Sequence, residues 1–229
     1  MNERTCFLVP TTSRNRDWES IEDSYLYKIL CSNLKLANDG ANNYFYVGFD
    51  TTDKIFSKDS EQEKLTLAFP NFHFTWVPFA PQPGNVVRIW NELARLAIER
   101  GFNYLMILGD DILPPKDKYW LTSFIKALQK QDNIGWAAGY SNNDDIATQF
   151  LVHSTHWDIF GFIFPPQIRN WYCDNWMNEI YAKEYKYWNQ NFKLSNCGGE
   201  PRYQPLNDKN LCTLLVKRYK KNLKIYLQN

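Results

Sequence analysis

The chain has 229 residues, with 26 basic and 25 acidic side chains and a formal net charge of +1. That length suits one sizeable α/β domain, and near-neutrality argues against a surface built for nucleic acid. Five cysteines (Cys6, Cys31, Cys173, Cys197, Cys212) are scattered without CxxC spacing, which argues against a zinc site and for a reducing compartment.

Cys6 to Pro10 reads as a buried strand, followed by the polar turn Thr11 to Asp17. A helix is expected from Trp18 to about Ala37, capped by Asp17, with Glu19, Glu22 and Asp23 early and Lys28 and Lys35 late, as the helix dipole prefers. Strands follow at Tyr44 to Phe49, ending at Asp50, and at Phe72 to Val77. After Pro81-Gln82-Pro83-Gly84, the spacing of Ile89, Leu93, Leu96 and Ala97 predicts a helix from Asn85 to Arg100, stopped by Gly101. Tyr104 to Leu108 is an apolar strand that runs into Gly109-Asp110-Asp111. A helix at Asp117 to Lys130 and a strand at Ile134 to Tyr140 complete an alternation that predicts a largely parallel sheet with helices on both faces. Beyond it the pattern loosens. A strand at Gln149 to His153, a helical turn at His156 to Phe160, a helix at Asn175 to Trp188, a loop at Asn196 to Pro201 and a basic helix around Lys217 to Lys224 are expected. No leader and no apolar run of membrane-spanning length is read in the sequence. The expectation is a single soluble domain in the cytoplasm, which for a viral chain means that of its host.

The adjacent carboxylates Asp110 and Asp111 carry the most chemistry. Acids at the tip of a buried strand need a compensating cation, and at the carboxyl edge of an open sheet that cation can be Mn2+ or Mg2+ carrying substrate phosphates. The plainer reading is a loop that caps the next helix. Arg14 and Arg16 flank Asn15 after the first strand, where guanidinium forks suit diphosphate oxygens and Thr11 or Thr12 suits a base edge. Arg88, in the first turn of a helix, is a further phosphate candidate or an exposed partner of Glu92. Trp171-Tyr172-Cys173-Asp174-Asn175-Trp176 sets one acid among aromatics, as in a sugar platform with a hydroxyl-binding or basic carboxylate. Alternatively Asp174 only caps a helix. His153 or His156 is a candidate to join the site.

The order of these segments resembles a nucleotide-sugar glycosyltransferase of the GT-A fold, in particular its small soluble viral or microbial members. The resemblance rests on Phe7-Leu8-Val9-Pro10-Thr11-Thr12-Ser13-Arg14, Asp50, Gly84-Asn85-Val86-Val87-Arg88 with Trp90-Asn91, and Leu108-Gly109-Asp110-Asp111. It implies a Rossmann-like α/β domain over residues 1–229. A nucleotide-sugar-binding half would occupy about 1–140, and a mixed, aromatic-rich acceptor half about 141–229. It further implies Asp111 and Asp110 at a Mn2+ or Mg2+ ion, Thr11, Arg14 and Asp50 around base and ribose, and Arg88 near the diphosphate or donor sugar. Asp174 would serve as base or sugar contact, with Trp171, Tyr172, Trp176 and His153 as an acceptor-side platform. Gly109 stands where the family's DxD signature has its first acid, and Asn175 where a second acceptor-side acid is common. A UDP-sugar donor and a glycan or glycoconjugate acceptor are the implied partners.

Two rival readings accompany it. Gly-Asp-Asp between apolar residues also resembles the metal hairpin of RNA polymerases, and the aromatics suit a non-catalytic carbohydrate- or nucleotide-sugar-binding module. The basic tail offers an acidic membrane surface a weak contact, or is an ordinary solvated face.

Overall fold

The structure is a computed structural model that describes residues 4–34, 43–143 and 145–228. Its frame is a seven-stranded sheet in the order β3-β2-β1-β4-β7-β6-β8. These strands are β1 (Thr5–Pro10), β2 (Asn43–Asp50), β3 (Phe72–Phe79), β4 (Tyr104–Ile107), β6 (Trp136–Tyr140), β7 (Phe150–His153) and β8 (Lys186–Lys193), while β5 (Ile112–Leu113) pairs separately with β9 (Ser195–Asn196). β7 alone runs against the others, antiparallel to both β4 and β6. Among the described residues the α-helices are α1 (Asp59–Ala68), α2 (Val86–Glu99), α3 (Trp120–Gln129), α4 (Thr155–Phe160), α5 (Cys173–Ile180) and α6 (Lys209–Tyr226).

Central strands with both faces covered read as continuous apolar runs, because successive side chains point to opposite sides. In β1, Cys6 and Leu8 enter one core with Leu93, Phe150 and Trp176. Phe7 and Val9 enter the other with Leu26, Trp120 and Phe124. β4 repeats this split, Leu105 and Ile107 on the first face and Tyr104 and Met106 on the second. Both cores therefore tighten on the strands whose carboxyl ends carry the polar turn and the acidic pair.

Several expected elements differ. Residues 18–20 are not helical. A 3-10 turn, Ile21–Asp23, precedes a π-helical segment, Leu26–Cys31, because Asp23 turns back to accept from the backbone N–H of Glu19 (3.2 Å) and Ser20 (3.3 Å). Lys35 and Ala37 lie outside the described residues. α1 has no apolar stripe to betray it. It buries Leu65 and Glu61, and the Glu61 carboxylate accepts from Ile21 N at 2.8 Å. β3 continues through Pro78, which an edge strand tolerates since one side of it makes no ladder. Trp188 belongs to a strand rather than a helix: β6 offers an open sheet edge, β8 pairs along it, and Trp188 Nε1 donates to Gly139 O at 3.0 Å. The polymerase reading fails here. β4 and β5 do not pair with each other, so Gly109-Asp110-Asp111 is not the tip of a hairpin.

Gly135 sits at φ +98, where a Cβ would stand 1.8 Å from the Tyr185 carbonyl oxygen, just before β8. Gly135→Ala is expected to lower unfolding free energy by at least about 2 kcal/mol through backbone strain, read from urea melts. An unchanged midpoint would contradict this packing of β6 against the chain entering β8.

Candidate active site

The site forms where β1, β2 and β4 end. β1 hands over to the turn Thr11–Asp17, which would be loose without Asp53. That buried carboxylate accepts from Ser13 N (2.7 Å), Ser13 Oγ (2.8 Å), Thr12 Oγ1 (2.9 Å), Ile55 N (3.0 Å) and Phe56 N (3.0 Å). Burial works against the Asp53 charge, but these donors outweigh it and hold the carboxyl below its ordinary pKa. The fixed turn and the end of β2 enclose a cavity of about 350 Å³ that includes Arg14, Arg16, Asp50 and Lys54. Arg14 pairs with Asp50 across it at 3.3 Å.

At the tip of β4, Gly109 N donates to Gln149 Oε1 at 3.3 Å, and the chain turns into the acidic pair. The turn points the two acids to different partners. Asp110 is fully buried. Its Oδ2 accepts from Thr11 Oγ1 at 2.6 Å and from Arg202 Nη1 at 2.8 Å, and its Oδ1 accepts from Arg202 Nη2. Arg202 also donates to Thr12 O at 3.0 Å. Its charge suffers from burial, but Asp110 beside it more than compensates and raises its pKa.

Asp111 faces a larger groove, about 870 Å³, shared with Trp171, Tyr172, Asp174 and Tyr203. Its carboxylate lies against two glycines. A Cβ on Gly109 would fall 2.6 Å from Oδ1, and one on Gly198 would fall 2.0 Å from Oδ2. Burial, then the Asp110 charge, push its pKa from 3.8 to about 6, with Arg202 opposing. Asp174, in the first turn of α5, accepts from Asn175 N at 2.9 Å, and burial pushes its carboxyl up. It thus engages one free N–H in the first turn of a helix whose N-cap is Tyr172, and it also lines the groove. Trp171, half exposed, and Tyr172, at φ +74, lead into that helix along the groove wall.

Thus Asp110, Asp111, Arg14, Asp50, Asp174, Trp171 and Tyr172 gather at one edge of the sheet. Thr11 gathers there too, with its hydroxyl committed to Asp110. Four expectations differ. Trp176 is no platform: it is fully buried, with ring centroids 5.3 Å from Phe160 and 5.7 Å from Phe162. His153 pairs in register with Tyr104, at the opposite end of β4, and its Nδ1 shares a 2.7 Å hydrogen bond with Thr155 Oγ1. Arg88 lines neither cavity. Its guanidinium donates to Ala80 O at 3.3 Å beyond the end of β3. His156 is a core residue between Tyr181 Oη (2.8 Å) and Ile163 O (3.0 Å).

Arg202 is the residue that sequence reasoning missed. It stands 92 positions from Asp110 in a stretch without periodicity, and no local signal marks it. Arg16, a candidate for diphosphate oxygens, instead donates to Gly198 O (3.0 Å) and Glu200 O (2.7 Å), joined by Tyr25 Oη to Gly198 O at 2.9 Å. These bonds hold the segment carrying Gly198 and Arg202 over the acidic pair.

No protein-family profile and no curated protein sequence matches the chain. Solved structures do match in fold. The mannosyltransferase PcManGT from Pyrobaculum calidifontis, in complex with GDP-Man and Mn2+, superposes with a TM-score of 0.62 at 13% identity, covering 89% of this chain and 59% of that one. TarS 1-349 of S. aureus gives 0.58 at 11% identity, covering 94% and 65%. Its complex with UDP gives 0.57 at 11% identity, covering 95% and 64%. The fold is thus the GT-A-like, Rossmann-related α/β fold, and the chain spans about three-fifths to two-thirds of the length of these structures.

Two outcomes follow from the acidic pair. Arg202→Met leaves Asp110 buried without its cation and is expected to lower stability by about 3–5 kcal/mol. In an Asp110→Asn background the same change is expected to lower it far less, and a double-mutant cycle by urea denaturation reads the difference. Additive effects would mean that the pair is not coupled. Because the folded-state pKa of Asp111 is raised, the native state holds its proton longer than the unfolded chain, so stability falls as pH rises from about 4 to about 6. Asp111→Asn is expected to remove that slope in metal-free buffer and to gain up to about 3 kcal/mol above it, checked by thermal melts across pH.

Proposed function

We propose that this chain is a metal-dependent glycosyltransferase that moves a sugar from a nucleoside-diphosphate sugar, by default a UDP-sugar, to a hydroxyl of a glycan or glycoconjugate acceptor. The observation that carries the reading is the division of labour at the β4 tip. Asp110 is buried against Arg202, while Asp111 is turned into the groove beside Asp174 and the Trp171-Tyr172 wall.

The donor set fits a hard divalent ion. Among the described residues there is no cluster of three or more His, Cys, Asp or Glu that would enclose a metal. Mn2+ and Mg2+ at phosphate sites instead keep several waters and take one or two carboxylates plus substrate oxygens. Asp111, with its carboxylate held in the glycine cradle, is the residue that would hold the ion. Asp110, with both oxygens engaged, supports it from behind through Arg202 and Thr11. The chemistry supplied by such an ion is neutralisation of charge on the departing nucleoside diphosphate.

The remaining steps fall to the chain's own groups. The cavity holding Arg14 and Asp50 takes the nucleoside, and Arg202 adds fixed positive charge next to Asp111, 3.8 Å from its Oδ2. Trp171 and Tyr172 hold the apolar face of a sugar ring. Asp174, its pKa raised by burial, accepts the proton of the attacking hydroxyl if the anomeric centre inverts. If configuration is retained, it positions the sugar. Donor and acceptor are thereby held in line at the sheet edge, which supplies much of the rate.

With UDP-sugar and Mn2+ near a hundred times Kd, Tm is expected to rise by about 5–10 °C, and Asp111→Asn to lose the Mn2+-dependent part of that rise. Release of nucleoside diphosphate by the purified protein, tracked by coupled assay across donors, separates a transferase from a pure binding module. A donor that binds with no release under any ion would favour the module.

A further inference from the structure

The outer face of α6 has no role in the groove, yet its sequence is sharply organised. Cys212, Leu215, Val216, Tyr219 and Leu223 follow the spacing i, i+3, i+4, i+7, i+11 and pack inward. The Tyr219 ring lies 4.9 Å from Phe162 and 6.2 Å from Trp176. Leu214, Lys217, Arg218, Lys221 and Ile225 repeat the same spacing two residues later, about 200° round the helix. All five are exposed, Leu214 at 63% and Ile225 at 62%. The outer face thus combines exposed aliphatic side chains with a run of cations on one helix.

Charge is concentrated on this helix. Six of the chain's 26 basic residues lie on α6 (Lys209, Lys217, Arg218, Lys220, Lys221 and Lys224) and none of its 25 acidic ones. None of the six forms an ion pair with an acid among the described residues. The positive field extends to the edge strand, where burial and then Lys220 hold the Lys186 ammonium below its ordinary pKa.

We infer that the outer face of α6 docks on an anionic lipid bilayer, lying in the plane of the headgroups. Cations along both flanks meet the lipid phosphates and carboxylates, and Leu214 and Ile225 enter the boundary with the acyl chains. The aliphatic residues at the two ends of the stripe set this occupant apart from a polyanion such as RNA, whose phosphates would offer Leu214 and Ile225 nothing. Among the described residues no helix is long and apolar enough to cross a membrane, so the contact is peripheral and salt-sensitive. It is independent of the transfer chemistry: a chain that moved no sugar would still dock.

Co-sedimentation with sucrose-loaded vesicles tests this. Binding is expected to vesicles of 30% phosphatidylserine in phosphatidylcholine at low salt, and to fall at least tenfold on pure phosphatidylcholine or at high salt. Lys217→Glu with Lys221→Glu, and separately Leu214→Ser with Ile225→Ser, are each expected to cut vesicle binding at least fivefold, with Tm unchanged because all four side chains are exposed. The surface assignment is overturned if no vesicles are bound, or if both double variants bind them like the parent. It is equally overturned if single-stranded RNA is held as tightly as anionic vesicles and the Leu214, Ile225 variant loses neither.

Discussion

The pairing of Asp110 with Arg202 is the contact on which the rest of this site depends. A carboxylate with no exposure to solvent can stay ionised only against a cation held in good geometry, with its remaining lone pairs satisfied. Arg202 supplies two donors from one rigid fork and Thr11 a third. Such a pair adds little net stability over apolar packing, but it is costly to leave half-made. It therefore fixes the register of three segments at once: the end of β1, the tip of β4 and the stretch after β9.

With Asp110 settled, Asp111 is left as the acid facing the groove. Its raised pKa follows from that arrangement, since burial and a neighbouring negative charge both resist ionisation and Arg202 offsets them only in part. Gly109 and Gly198 approach from two sides because their missing side chains leave the room that the carboxylate fills. A divalent cation arriving with substrate phosphates would find one carboxylate already oriented.

The fold explains why these residues meet. Ligands in open α/β sheets gather outside the carboxyl ends of the strands, where the ends of β1 and β4 leave a crevice. The turn after β1, stapled by Asp53, forms one wall. α5 forms the opposite wall, delivered there through a helix packed on the first core by Trp176 and Met177. The basic outer face of α6 lies back to back with that packing, so one helix serves the core on one side and presents charge on the other.

Apolar runs and helical spacing were enough to read β1 to β4, α2, α3 and β6, the location of the acidic pair, and Asp174 among aromatics, but not α1 or the broken helix after Trp18. These are local patterns, dictated by burial on two faces of a sheet and by backbone periodicity. The direction of β7 and the pairing of β8 were not legible, because strand direction and partner are set by the open hydrogen-bonding groups of neighbouring strands that are distant in sequence. Trp176 and His153 looked like site residues for the same reason in reverse. Composition says that a side chain is aromatic or titratable, while only packing decides whether it faces solvent, core or groove. Arg202 is the clearest case: its partner is 92 residues away, and an ion pair across that separation leaves no trace in the sequence until the chain has closed on itself.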